Sequence, residues 1–290
     1  MKKIALGVSF LAASLGAAPA WATDIKVAVA ANFSDALTAL TTAYGLAGWS
    51  YSSTSTFTVT SGATATLASN ISTPLSSGGT TPYDLFFSAD DTTPAALKTS
   101  FPTPVQTPFF YAEGKLVLWA KYGPNVSASG YNGFPSPGAY SYANGQVAIA
   151  NPATAPYGTA AQQVLSRVHS ITYPGGAHDA KFTQYSTIGT TYAAVNGSTS
   201  TSYPNMGFVA KSSLCDPATS TYRTGITGTY YEYTPATVNG NPPHDRLLQH
   251  AVAIQGRPGA SVSAVNDFAS YVASTAGKAV IAKYCYGTTP

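Results

Sequence analysis

Charge is what this sequence has least of. Asp, Glu, Lys and Arg together make up 9% of its 290 residues, 14 basic against 11 acidic. No basic stripe or Lys/Arg run is present to neutralise a phosphodiester backbone, so nucleic acid is excluded as an expected partner. Cysteine is nearly absent: Cys215 and Cys285 stand alone, with no CxxC spacing and no neighbouring histidine, which argues against a zinc ribbon or a dithiol redox motif. Beyond the first 22 residues no window is apolar enough to span a bilayer. Also missing are a GxSxG nucleophile elbow and an HExxH metal pair.

The opening stretch, MKKIALGVSFLAASLGAAPAWA, has Lys2 and Lys3, then a short apolar run, then Ala20-Trp21-Ala22 as a small-residue cleavage site. It reads as a secretory signal peptide over 1–22, with no cysteine at the cleavage point for lipid attachment. A mature, periplasmic chain starting near Thr23 is expected, with almost no net charge once the two leader lysines are gone. In an oxidising compartment the isolated cysteine pair is most simply a Cys215–Cys285 disulfide; two buried thiols or a metal role are the alternatives.

Hydrophobic period and turn punctuation predict strands at 25–30, 57–61, 84–88, 115–120, 146–150, 206–210 and 250–254. Helices are predicted at 33–44, 64–72, 92–98, 158–168, 189–196 and 262–283. Strands alternating with helices indicate an α/β fold with largely parallel sheets, and the length allows two modest lobes. Three polar stretches, 45–56, 123–143 and 214–245, read as surface insertions, because none carries the apolar periodicity of a core.

The chemistry lies at the strand-to-helix junctions. After the apolar strand at Ile25 to Ala30 the chain breaks at Asn32 and enters a helical segment; SGATATLASNI, NPATAPYGTAAQQVL and YSTIGTTYAAV repeat that order. A helix start carries unpaired N–H groups and a partial positive charge, so it holds an oxyanion without a cation. Asn32 is also a good N-cap residue, with Asp35 spaced to close a capping box. Pro156 and Gly158 fix the turn that sets Tyr157 at a helix start.

Taken in order, VAVAANFSDAL, TSGATATLASNI, PYDLFFSADD, YAEGKLVLWAK, VAIANPATAPYGTAAQQVL, STIGTTYAAV, NMGFVAKSSL, LLQHAVAI and NDFASYVASTAGKAVIAKYCYG resemble the periplasmic molybdate-binding proteins of ABC importers. The resemblance covers most of the mature chain outside the three insertions. It implies a type II periplasmic-binding fold, with 23–112 and 249–290 forming lobe 1 and 113–248 forming lobe 2. By the same resemblance Asn32 and Thr64 contact the ligand from the first lobe, and Tyr157 and Ile188 from the second, Ile188 through its backbone N–H. Ala31 stands where some relatives carry a ligand-contacting threonine. The implied ligand is molybdate or tungstate, the implied partner an inner-membrane ABC permease, and a monomer without cofactor or resident metal is expected. Sulfate or another tetrahedral oxyanion is the alternative.

Two readings of other kinds compete. A secreted hydrolase would draw on the serines and on His244, Asp245 and His250 of HDRLLQH, but their spacing matches no metal or triad pattern; His169 and His178 read as surface residues. A carbohydrate-binding module would use the Tyr-rich insertions, yet alternating strands and helices argue against a β-sandwich lectin.

Overall fold

The computed structural model describes residues 22–128, 130, 143–234 and 242–290. Residues 1–21, within the predicted signal peptide, and parts of the stretches at 123–143 and 214–245 lie outside the described residues. Among these, no helix is long and apolar enough to cross a membrane.

The first half alternates strand and helix as its hydrophobic period requires: β1 Thr23–Ala30, α1 Ser34–Gly45, β2 Ser55–Gly62, α2 Thr64–Ser76, β3 Leu85–Phe87 and α3 Thr92–Ser100. Then follow β4 Phe109–Gly114, β5 Leu116–Ala120, β6 Val147–Ala150, α4 Pro156–His169, β7 Phe182–Tyr185, α5 Ile188–Gly197 and β8 Met206–Ala210. The chain closes with β9 Cys215–Asp216, β10 Thr221–Tyr222, β11 Thr229–Tyr233, β12 Leu247–Ala253, α6 Val262–Ala273 and α7 Thr275–Lys283.

Two five-stranded sheets result, ordered β2-β1-β3-β12-β4 and β11-β5-β8-β6-β7. Each is mixed: β12 runs antiparallel to β3 and β4 in the first, and β5 antiparallel to β8 and β11 in the second. This is the two-lobed type II periplasmic-binding architecture. Each sheet is buried by helices on its faces, so strands such as β5 (LVLWA) and β8 (MGFVA) are apolar throughout. On one side of the first sheet Phe33, Tyr44, Phe268 and Tyr271 form an aromatic core; on the other, Leu67 and Ile71 of α2 pack on Phe86. The second sheet has its own core around Phe208, Val164 and Leu165.

The chain passes between the sheets from β4 to β5 through Gly114 and Lys115, and again from β11 to β12. Ion pairs flank both passages. Arg246 holds Glu113 with two hydrogen bonds of 2.8 Å, and Lys211 meets Glu232 at 2.7 Å. The first pair keeps the Glu113 carboxyl below its usual pKa. A Cys215–Cys285 disulfide, with Cα atoms 5.9 Å apart, adds a covalent link between the β9–β10 hairpin and the C-terminal segment.

Three expectations need correction. The predicted helix 262–283 is two helices, because Ser274 is extended and its side chain accepts from the Gly277 N–H, capping α7. The stretch 214–245 is not only surface cover: β9 and β10 form a hairpin, and β11 extends the second sheet alongside β5. His169 is not a surface residue but buried at the end of α4, its Nε2 3.3 Å from the Tyr233 hydroxyl.

Candidate functional site

β1, β2 and β3 of the first sheet, and β6 and β7 of the second, end facing the gap between the lobes. That is the edge where open α/β sheets place ligands. Asn32, Thr64, Tyr157 and Ile188, four residues from four separate junctions, all line one small cavity there, of about 10 Å³. Small residues make up most of the remaining wall, and none of the lining side chains is charged. A larger open groove of about 350 Å³ adjoins it, lined by Asp90, Asp91 and Asp245 and by one cation, Arg246, which is already paired with Glu113.

Each junction presents donors for a local reason. At α5, Thr187 and Thr190 form a capping box that satisfies the Thr187 and Thr190 N–H groups and leaves the Ile188 N–H without an acceptor. At α4, Pro156 occupies the first turn, so the next residue, Tyr157, supplies the free N–H. Gly158 lets this turn sit against β6, since a β-carbon there would lie 2.4 Å from the Ala150 carbonyl oxygen. At α2, the Thr64 hydroxyl accepts from the Ala89 N–H at 3.2 Å, which leaves its own proton available to the cavity.

The lobes are closed on each other. The Ala65 N–H donates to the Thr154 carbonyl at 3.1 Å, and the Ser212 hydroxyl to the Asn32 carbonyl at 3.2 Å. A β-carbon on Gly189 would meet that of Ala31 at 3.4 Å, so Ala31 faces the second lobe directly.

Asn32 does not cap a helix. It sits in a single 3₁₀ turn before α1 that has no side-chain cap, and Asp35 is exposed. Instead the Asn32 Nδ2 donates inward, to Gln249 Oε1 at 3.0 Å and to the Tyr286 hydroxyl at 3.1 Å. The Asn32 Oδ1 is buried without a partner. Tyr157 also turns its side chain away: its hydroxyl lies at the β4–β5 passage and accepts from Gln249 Nε2 at 3.2 Å. Tyr111 completes the cluster, within 2.9 Å of Gln249 Oε1 and 2.8 Å of the Ser88 carbonyl. Burial pushes the phenols of Tyr111, Tyr157 and Tyr286 above their usual pKa, so all three are neutral at physiological pH.

Sequence reasoning did not find Gln249, Tyr111, Tyr286 or Ser212. The one signal was Gln249 itself, a polar residue inside the apolar run LLQHAVAI. Of the two histidines of the hydrolase reading, His244 has structural partners: both its ring nitrogens lie beside backbone carbonyls, of Asp245 and Tyr233. Among the described residues no group of three or more His, Cys, Asp or Glu could hold a metal ion.

Over residues 25–287 the sequence matches the family described as bacterial extracellular solute-binding protein. The molybdate-binding protein ModA of Azotobacter vinelandii is 33% identical over 181 residues, 57% of this chain and 57% of that protein. The chain therefore aligns with little more than half the length of that curated relative. Among solved structures, the periplasmic molybdate-binding protein of Azotobacter vinelandii superposes with a TM-score of 0.70 at 23% identity, covering 92% of this chain and all 100% of the other. The sulfate-binding protein SubI of Mycobacterium tuberculosis H37Rv superposes with a TM-score of 0.59 at 13% identity, covering 92% and 87%.

Proposed function

The chain belongs to the bacterial extracellular solute-binding proteins, and from that premise we propose that it is a periplasmic receptor for molybdate, and for the nearly isosteric tungstate. It holds the anion between its lobes and delivers it to the membrane permease of an ABC importer. The observation that carries this reading is the convergence of Asn32, Thr64, Tyr157 and Ile188 on one uncharged cavity between the lobes. The protein catalyses nothing; it binds and releases.

A fully ionised tetrahedral oxyanion accepts hydrogen bonds and offers none, and neutral donors answer that need. Each hydrogen bond to the ionised ligand is worth roughly 1.5–3 kcal/mol. A handful therefore offsets desolvation and leaves the ~8 kcal/mol that micromolar affinity requires. Donors arriving from both lobes stabilise the closed form, a hinge closure around ligand. Sulfate has the same charge and shape, and a structural neighbour is a sulfate-binding protein, so sulfate is the second reading.

The test is one series of calorimetric and thermal-shift titrations of the mature protein with molybdate, tungstate, sulfate and phosphate. At 100 times its dissociation constant, molybdate should add about 2.7 kcal/mol of stability. Melting unchanged by millimolar molybdate and tungstate would sink the proposal; a response to sulfate alone would replace it with the second reading.

A further inference from the structure

The two five-stranded sheets have four edge strands, β2, β4, β7 and β11. An edge is where one chain can pair with another, and three of these are guarded. At β4 the C-terminal segment covers the edge: the Glu113 N–H donates to the Gly287 carbonyl at 2.7 Å and the Gly287 N–H to the Glu113 carbonyl at 2.9 Å. β11 carries Glu232, paired with Lys211 and Lys115, and β7 is only four residues long. β2 has none of these devices. Its eight residues, STFTVTSG, include no charge and no proline, and they pair with β1 alone.

The Thr23 N–H donates to the Thr54 carbonyl at 2.8 Å, which fixes the alternation along the parallel pair. Even-numbered residues of β2 turn their N–H and C=O groups to β1; Phe57, Val59 and Ser61 turn theirs to the open edge. Thr56 and the run from Thr58 to Ser61 are exposed. On one face Phe57 packs on Tyr44 and Phe268, and strand alternation puts Val59 beside it; Thr56, Thr58 and Thr60 stand on the other face.

This edge reads nearly the same in both directions about Thr58: Ser55 matches Ser61, Thr56 matches Thr60, and Phe57 matches Val59. A two-fold axis at Thr58 lays a second copy of β2 antiparallel beside the first, and each residue then faces one of its own kind. Phe57 stands opposite the partner's Val59, the two exchanging both backbone hydrogen bonds, while threonine meets threonine on the other face. Aromatic with β-branched and threonine with threonine are favourable cross-strand pairs. We propose that β2 is a homodimer interface, joining two first-lobe sheets edge to edge into one continuous sheet. Self-complementarity, the mark of a two-fold contact, selects a second copy of this chain over an unrelated strand. One strand edge buries less than the roughly 1,200 Å² of standard stable complexes, so the dimer exchanges with monomer as concentration changes. This replaces the monomer expected from the family resemblance, and it does not depend on the anion reading. β2 lies at the opposite edge of its sheet from β4, where the chain passes between the lobes, so pairing leaves that passage clear.

The experiment is sedimentation equilibrium of the mature protein across concentrations, with backbone hydrogen exchange read on the same samples. Wild type should shift from monomer to dimer as concentration rises, and the amides of Phe57, Val59 and Ser61 should exchange more slowly in the concentrated sample. Val59→Lys, which sets like charges beside the axis, should stay monomeric. Cross-linking reads the register, since the native cysteines are bridged to each other. Thr58→Cys places two Cα atoms about 4.5 Å apart across the axis, within disulfide range, and should oxidise to a covalent dimer. Thr56→Cys lies about 13 Å from its mate, four residues along at ~3.3 Å each, and should not. A wild-type monomer at every concentration up to about 1 mM, or a dimer whose β2 amides stay unprotected, would overturn the proposal. So would a dimer that persists in Val59→Lys, or Thr56→Cys cross-linking as readily as Thr58→Cys. The wild-type measurements decide the matter even if a variant does not fold.

Discussion

A β-carbon on Gly114 would lie 2.1 Å from the Tyr157 hydroxyl oxygen. The glycine that ends β4, at the first passage between the lobes, is thus the floor on which the Tyr157 phenol rests. Gly114→Ala must push that ring, or the passage, out of place. Overpacking of this kind costs about 1–3 kcal/mol, and because Tyr157 lies in the first turn of α4 the affinity for molybdate should fall as well. Unchanged melting and unchanged affinity in Gly114→Ala would show that the passage yields freely.

Thr64 and Ile188 contribute by different atoms, and conservative changes separate them. Thr64→Val removes the free hydroxyl proton and strips the Ala89 N–H of its acceptor, so molybdate affinity should drop roughly ten- to a hundred-fold. Ile188→Val leaves the backbone donor in place and should change affinity by less than about two-fold, with a stability cost of about 0.5–1.5 kcal/mol. Calorimetry on both variants measures this; equal losses would refute the assigned roles.

The Cys215–Cys285 bridge spans 70 residues of sequence. On the loop-entropy account its removal costs up to ~4 kcal/mol. The Cys215→Ser/Cys285→Ser double variant should melt well below wild type. Unreduced exported protein should contain no alkylatable thiol, as mass spectrometry would report.

His169 gives a pH signature. Burial lowers its pKa from 6.5 to about 4, so the folded protein takes up this proton less readily than the unfolded chain. The neutral ring's contribution is full above pH 6.5 and is lost as pH falls toward 4, about 3 kcal/mol in the limit. Glu113 and Asp245, whose pKa values arginines hold down, titrate with the same sign. Urea unfolding of wild type and His169→Gln at pH 7.5 and 4.5 isolates the histidine: the variant should lose less stability on acidification. An equal loss would show that His169 becomes protonated without cost.

Much of this fold is legible because its strands are buried on both faces and its helices have apolar stripes. The runs IKVAVA and VAIA could be little else, and they became β1 and β6. What escaped lacked such a signal. β11, TYYEY, hides among tyrosines that look like surface cover but alternate against β5. Ser274 interrupts a helical pattern whose apolar spacing continues across it, so only its capping geometry reveals the break. In the site, the junction residues Asn32, Thr64, Tyr157 and Ile188 could be named from the sequence only through the family resemblance, and the structure brings all four to one cavity. Gln249, Tyr111 and Tyr286 could not, because they meet Asn32 only through folding, and Gln249 is 217 residues away from it.

The disulfide also has a topological meaning. The chain leaves Cys215 beside the second sheet, runs through β11, crosses to β12 in the first, and returns along α6 and α7 to Cys285. Bond and chain together close a covalent ring that threads both lobes. A protease that nicks any single point on this ring, for instance the exposed turn at Gly225, converts it to an open chain without releasing a fragment. The first passage, at Gly114, lies outside the ring and still joins the lobes. The nicked protein would run as one species on a non-reducing gel and as two after reduction.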